Sequence, residues 1–490
     1  MKKIKFILFL FFWISHSYLF SEENPLKEKI KLLPQPKYLE WKDKVFEIDK
    51  KYVVVFGESE ELKSPALSKT KEFLKSLGIL RVEIVNSLEK VKGAKTVIIL
   101  GRLEEDKAIP DNNPISFSQG YLLSISQEEN SPPIYIKLLG VKEIGTFYAL
   151  QTLKQLVVKE KDKIYVPEVF IKDKPSFPVR GVIEGGGGNW SFQERIRMID
   201  FFASVKFNIY LYAPKGDLRL RDEWRRPYTE EQIENFKKLI KKCEENFVIF
   251  SVIFSPALSF NFADEEDFKR LLKKYESMYK LGCRHFGIFF DDILPGLGTP
   301  EENKMFSHPA EAHVALANKL YSALKKKNPD IIFSFCPTPY WGITPSKYLQ
   351  IVKEKLNKEI YVGWTGIDVC AREIRVEETK KFKELVGGKI AIGDNFPVHG
   401  GGIATGPIRD RDRDLYLYVD SFLSNPLWRN PEISKISLST IADYTWSPEK
   451  YDPDKSWETS LKIFAGDKLY PVMRTFAEQY QAAWAVRAKP

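Results

Sequence analysis

Cysteine is scarce in this chain: four residues in 490, Cys243, Cys283, Cys336 and Cys370. Their spacing matches no zinc-binding pattern. Export would permit disulfides, but each cysteine falls in or beside an expected strand or helix core, so free buried thiols are expected. Beyond the N-terminus no apolar run is long enough to span a bilayer. No dinucleotide fingerprint is present: Gly185 to Gly188 is glycine-rich but lacks the Gly-x-Gly-x-x-Gly spacing followed by an acidic residue. No cofactor or metal is therefore expected. The net charge of +9 is spread along the chain. Basic runs such as Lys325-Lys326-Lys327 end helix-like segments and accompany no nucleic-acid motif, so no nucleic-acid partner is expected.

What is present describes a globular chain. Hydrophobic residues make up 43% and charged residues 29%, and the length calls for two or three domains. Aromatic content is high at 13%, which serves both core packing and sugar-stacking surfaces. At the N-terminus Lys2, Lys3 and Lys5 precede the apolar run Phe6 to Ile14, a pattern for a secretory signal over residues 1–21, cleaved near Ser21. A retained anchor is the alternative. The chain is expected to be exported (periplasmic, cell-surface or secreted, if bacterial), with no stable membrane span after cleavage.

Residues 25–172 read as a small α/β domain. Tyr52 to Phe56 and Thr96 to Leu100 are strand-like. Tyr121 to Ser126 and Ile134 to Leu139 form a hairpin around Asn130, Ser131, Pro132 and Pro133. Ser64 to Leu77 and Ile144 to Val158 carry helical periodicity. Val166 to Pro175 reads as a linker. From Val179 strand and helix alternate about seven times over roughly 250 residues, which predicts a (β/α)8 TIM barrel, an α/β fold, over residues 176–433. Its second helix opens on the capping signal Thr229 to Gln232. Residues 434–490 are expected to be helical and to lie beside the barrel, with Leu469 to Arg487 as a final amphipathic helix.

The chemistry centres on Gly287 to Ile293, a buried strand that ends in Asp291-Asp292. Successive strand residues point to opposite faces, so the two carboxylates share a site only where the strand breaks into a loop. Pro295 and Gly296 supply that break. Two adjacent carboxylates in an apolar setting cannot easily both ionise, so one pKa is expected to rise, as suits a general acid. Taken alone, such a pair more often sits in a turn or caps the next helix. The distribution of polar residues favours a site. Lys215, Asp217, Asp291, Asp292, Thr338, Tyr340, Trp364, Asp394 and Asn395 all fall at or just after the C-terminal ends of expected strands, the rim that carries function in such barrels.

These residues lie in motifs that resemble glycoside hydrolase family 84, the β-N-acetylglucosaminidase family that includes O-GlcNAcases and bacterial enzymes historically called hyaluronidases. The motifs are Arg180 to Gly185, Tyr212 to Lys215, Ser255-Pro256, Phe289 to Ile293, Trp364 to Gly366 and Asp394 to Val398, continuing through Leu415 to Tyr418 and Leu423 to Pro426 to Ile441-Ala442-Asp443-Tyr444. Gly145 to Tyr148 with Gln151 to Leu153 looks like the small domain that precedes hexosaminidase barrels. The resemblance implies a retaining, substrate-assisted hydrolase acting on terminal β-linked N-acetylhexosamine of a glycan or glycoprotein. The substrate's acetamido carbonyl attacks the anomeric carbon and forms an oxazoline. Asp291 would polarise the acetamido group, and Asp292 would act as acid and then base. Gly185, Lys215, Tyr340, Asn395 and Asn425 would hold the sugar. The chain departs from the family in its pocket. Gly186 and Gly187 replace Phe and Tyr, Gly393 replaces Trp, and His399-Gly400 replaces Asn-Asp. Either a differently shaped glycan fills the space, or the chain is a weakened or inactive glycan-binding homologue.

Overall fold

The computed structural model describes residues 24–481 except 25, 59, 92, 129–131, 189, 294–295 and 399–401. The expected signal segment, the hairpin-turn residues Asn130 and Ser131, Pro295, His399, Gly400 and the end of the last expected helix lie outside the described residues.

The N-terminal part is built on an eight-stranded mixed sheet. The expected hairpin pairs Tyr121–Gln127 with Ile134–Gly140 in antiparallel register. Ile134–Gly140 alternates buried and half-buried residues along its length, the signature of a strand with one face in the core. Helices Pro65–Ser76 and Glu143–Leu156 complete the layer, and the first is capped by Ser64, whose side chain accepts from Ala66 N. Their buried residues share one apolar cluster with the strands.

One segment differs from its expected form. Residues read as a linker from Val166 form most of an eleven-residue strand, Lys163–Asp173, paired on both sides, with Tyr38–Glu47 and with Tyr121–Gln127. Pro167 obscured it, because proline cannot donate to a ladder. The ladder accommodates Pro167 opposite Val45, beside an irregularity in register between Trp41 and Val45.

The second part is a closed parallel barrel. Its strands, labelled here in barrel order, are β1 Val179–Glu184, β2 Ile209–Tyr212, β3 Ile249–Phe254, β4 His285–Phe289, β5 Ile332–Cys336, β6 Tyr361–Trp364, β7 Lys389–Asp394 and β8 Ser421–Ser424. β8 pairs with both β7 and β1 and closes the ring. The surrounding helices follow the expected rhythm. Glu230–Glu245 opens on a capping box between Thr229 and Gln232 and buries Phe236, Leu239, Ile240 and Cys243, a stripe at helical spacing. Each such side chain contributes about 1.5–3 kcal/mol when fully buried. Inside the barrel Ile209, Leu211, Ile253 and Leu423 form a separate apolar cluster with Ile183 and Phe289 against it.

Helix Pro431–Trp446 packs against β1, β8 and the first barrel helix, Phe192–Ser204; the boundary expected at 433/434 falls inside it. Helix Pro453–Tyr480 follows, broken at Gly466, where φ is +68°. The N-terminal domain docks on the end of the barrel opposite the rim. Asp173 accepts hydrogen bonds from Tyr121 Oη (2.6 Å) and Trp446 Nε1 (2.8 Å) and faces Lys206 Nζ at 3.6 Å. Lys206 precedes β2, so this contact sits at the strand beginnings and leaves the strand ends free. All four cysteines are free thiols; three are buried and Cys370 is half-buried. No helix among the described residues is long and apolar enough to cross a membrane.

Candidate active site

At the C-terminal rim the strand ends enclose a cavity of about 540 Å³. Its floor is the apolar interior, with Ile183, Leu211, Ile253, Phe289 and Leu423. Of the residues expected at the rim, Lys215, Asp291, Asp292, Tyr340, Trp364 and Asn395 line this cavity, as do Gly185 and Asn425. Asp217, Thr338 and Asp394 do not line it. Asp217 caps the turn Leu218–Leu220 and accepts from Tyr212 Oη at 3.0 Å. Asp394 is buried and held by both arms of Arg411, each contact at 2.8 Å.

By their alternation the charges of Asp410-Arg411-Asp412-Arg413-Asp414 suit a surface network, or a replacement carboxylate for the pocket, but the ion pair turns Arg411 inward. Arg411 is buried, and its guanidinium also donates to the carbonyls of Arg372, Arg409 and Ala371. The alternation of charges concealed an inward-facing cation that fixes the end of β7 and so positions Asn395, the next residue.

The carboxylate pair meets the geometric condition set by the strand. β4 ends at Phe289, and Phe290 N still donates to Cys336 O (2.9 Å). Asp292 then adopts φ +50°, a left-handed conformation uncommon for a residue with a Cβ. This turn brings both carboxylates to one cation. Lys215 Nζ is 3.3 Å from Asp291 Oδ2 and also contacts Asp292 Oδ2. Tyr340 Oη donates to Asp292 Oδ1 at 3.1 Å, and Arg221 Nη2 donates to the Asp292 carbonyl at 3.0 Å. Below them Glu302 ties the following loop down, accepting from Gly298 N, Thr299 N and Phe262 N.

The electrostatics differ from expectation at Asp292. Burial works to raise its pKa, but the Lys215 hydrogen bond and charge, the Tyr340 hydroxyl and the Arg221 charge outweigh it and hold the carboxyl below its ordinary value. The sequence shows the two acids but not that Lys215 lies between them. Burial opposes the charge on Lys215, yet the two carboxylates raise its pKa. Burial and the neighbouring acids push the Tyr340 phenol up, so it is a neutral donor.

The opposite wall is an amide relay. Asn395 Nδ2 donates to Val369 O (2.7 Å), and Asn425 Nδ2 donates to Asn395 Oδ1 (2.9 Å). Asn425 Oδ1 is buried and has no partner among the described residues. Two cavity residues escaped sequence reasoning. Arg221 lies six residues beyond Lys215 in the β2 loop. Trp428 lies just beyond the Leu423 to Pro426 motif; its position there was the available signal.

A parallel barrel with paired carboxylates, a cation and amide donors on one rim defines a protein of the glycoside-hydrolase kind. A family model described as beta-N-acetylglucosaminidase matches residues 180–478, and one described as glycosyl hydrolase family 20, domain 2, matches residues 29–174. The chain belongs to the β-N-acetylglucosaminidase family, glycoside hydrolase family 84. Protein O-GlcNAcase of Rattus norvegicus and that of Mus musculus are each 31% identical over 276 residues, 54% of this chain and 29% of theirs. The chain thus spans less than a third of those relatives. The solved structure of CpGH84B is 31% identical, with a TM-score of 0.76 over 92% of this chain and 77% of that one. A variant of the O-GlcNAc hydrolase of Thermobaculum terrenum is 34% identical, with a TM-score of 0.60 over 62% of this chain and 67% of that one.

Proposed function

We propose that the chain is an exported, retaining β-N-acetylglucosaminidase that uses the substrate's acetamido group as nucleophile. The observation that carries this reading is the meeting of Asp291, Asp292 and Lys215 at one point of the rim. In the first step the acetamido oxygen bonds to the anomeric carbon while the bond to the leaving oxygen breaks. Asp291 accepts from the acetamido N–H and balances the positive charge that develops there. Asp292 gives its proton to the leaving oxygen. In the second step water attacks the anomeric carbon, opens the oxazoline and returns a proton to Asp292. Tyr340 and Asn395 flank the acetamido group, and Gly185 and Asn425 contact the sugar.

Lys215 links binding to this chemistry. While its ammonium lies on Asp292, that carboxyl is held ionised and cannot serve as an acid. A sugar hydroxyl that draws Lys215 away relieves the restraint, and Asp292 takes up its proton. The basic and apolar leader at residues 2–14 supports export. Retention of both acids and the lysine favours turnover over simple glycan binding. The test is hydrolysis of 4-nitrophenyl N-acetyl-β-D-glucosaminide by the wild-type and Asp292→Asn proteins. Release of nitrophenol by the first, reduced by orders of magnitude in the second, is expected.

A further inference from the structure

The glycines that set this pocket apart are matched by one side chain. Gly185 to Gly188 follow β1, Trp428 follows β8, and the two strands are neighbours. A Cβ built on Gly186 falls 1.7 Å from Trp428 Cδ1 and 2.0 Å from its Nε1. One built on Gly188 falls 2.2 Å from the Trp428 carbonyl oxygen. At Gly187 the nearest atom is the far edge of the same indole, at 3.8 Å. The ring therefore lies along the glycine stretch; residue 186 tolerates no side chain while it is there, and residue 188 none beside the Trp428 backbone.

The indole also lines the cavity. Trp428 Nε1 is buried and has no hydrogen-bond partner among the described residues, and the same holds for Asn425 Oδ1, three residues earlier in the same loop. A buried donor or acceptor left unpaired is costly. Here the two residues that carry an unpaired donor and an unpaired acceptor line one cavity, and both come from the segment that closes it. A remnant of a lost site would leave a void beside the glycines. Instead a tryptophan fills that place, with its N–H unpaired.

We propose that Trp428 is a specificity-determining residue of the sugar site. Its ring forms the aromatic wall that the β1 loop lacks. Its N–H donates to a hydroxyl of a bound N-acetylhexosamine, whose hydroxyls also donate to Asn425 Oδ1. The recognised group is a neutral hydroxyl, held without a charged partner. This inference rests on the site being a hexosamine site, as proposed above.

The test uses the full-length protein and its Trp428→Phe and Trp428→Ala variants. KM and kcat are measured on 4-nitrophenyl N-acetyl-β-D-glucosaminide, and Kd for N-acetylglucosamine by NMR titration. Phe keeps the ring and removes the donor. It is expected to raise KM and Kd about five- to tenfold, as the loss of one hydrogen bond implies, with kcat changed little; Ala is expected to raise them further. Should Ala fail to fold, Phe alone decides. Values within twofold of wild type, with turnover intact, overturn the role of Trp428 and leave the hydrolase reading standing. Weakened N-acetylglucosamine binding in the Phe variant of a protein that never turns over supports Trp428 and overturns the hydrolase reading. A wild-type protein that neither hydrolyses nor binds these sugars overturns both. A structural readout accompanies these: Gly186→Ala lowers the melting temperature beside Trp428 and not in the Trp428→Ala background, and equal tolerance in both overturns the fit of ring to loop.

Discussion

Replacing Asp443 with Asn tests the interface that mounts the barrel on its N-terminal domain. Asp443 lies in the last barrel helix and is buried, and its Oδ1 accepts from Gln35 N at 2.7 Å. Burial pushes its pKa from the ordinary 3.8 up to about 6, although the Gln35 amide and Lys206 pull the other way. That rise corresponds to about 3 kcal/mol. The folded form holds the proton more tightly than the unfolded form. Its contribution is therefore fully present below about pH 4 and is lost as pH rises through about 6. Asn keeps the acceptor for Gln35 and removes the charge. The variant should accordingly be more stable than wild type at pH 8, by up to about 3 kcal/mol, with the gap closing towards pH 4. Chemical unfolding of both proteins at the two pH values isolates this term, since every other titrating group cancels in the difference. A variant less stable than wild type at pH 8 would refute the reasoning and mean that the ionised carboxylate is a net stabilising partner of Lys206.

Two further outcomes follow from the ion pairs. Lys215→Met removes the cation that holds Asp292 down, so the basic limb of the pH–rate profile should move to higher pH. The kcat/KM should fall by about tenfold or more, the scale of one charge-assisted hydrogen bond; an unmoved limb would separate Lys215 from the acid. Arg411→Ala leaves Asp394 buried without its cation, and unfolding titrations should register a loss of about 3–5 kcal/mol. A loss below about 1 kcal/mol, the value of an exposed pair, would mean that the pair is not internal in solution.

Much of the architecture was legible because periodicity reports burial directly. The barrel helices and the strands β2 to β7 carry strong patterns, and polar residues fall where those strands end. β8 was recognisable only as a motif, since Ser421–Ser424 is four residues long and follows an extended connection from β7. Lys163–Asp173 was hidden by a single proline. Within the site, the carboxylates, Lys215, Tyr340 and Asn395 could be named from their positions after strands, and Gly185 and Asn425 only from the family motifs. Their coupling could not, because the contact of Lys215 with both acids depends on the turn at Asp292. Arg411 was misread for the same reason: alternating charge does not say which residue faces inward. The glycine run left open a differently shaped glycan or a weakened site, because the side chain that packs on it, Trp428, is distant in sequence.

The most direct measurement is the initial rate of nitrophenol release from 4-nitrophenyl N-acetyl-β-D-glucosaminide by the wild-type protein beside its Asp292→Asn variant. The account predicts turnover by the wild type and its near-complete loss in the variant, with both proteins equally folded. Equal rates from the two would contradict the assignment of Asp292 as the acid, and no release from a folded wild type would contradict the hydrolase itself.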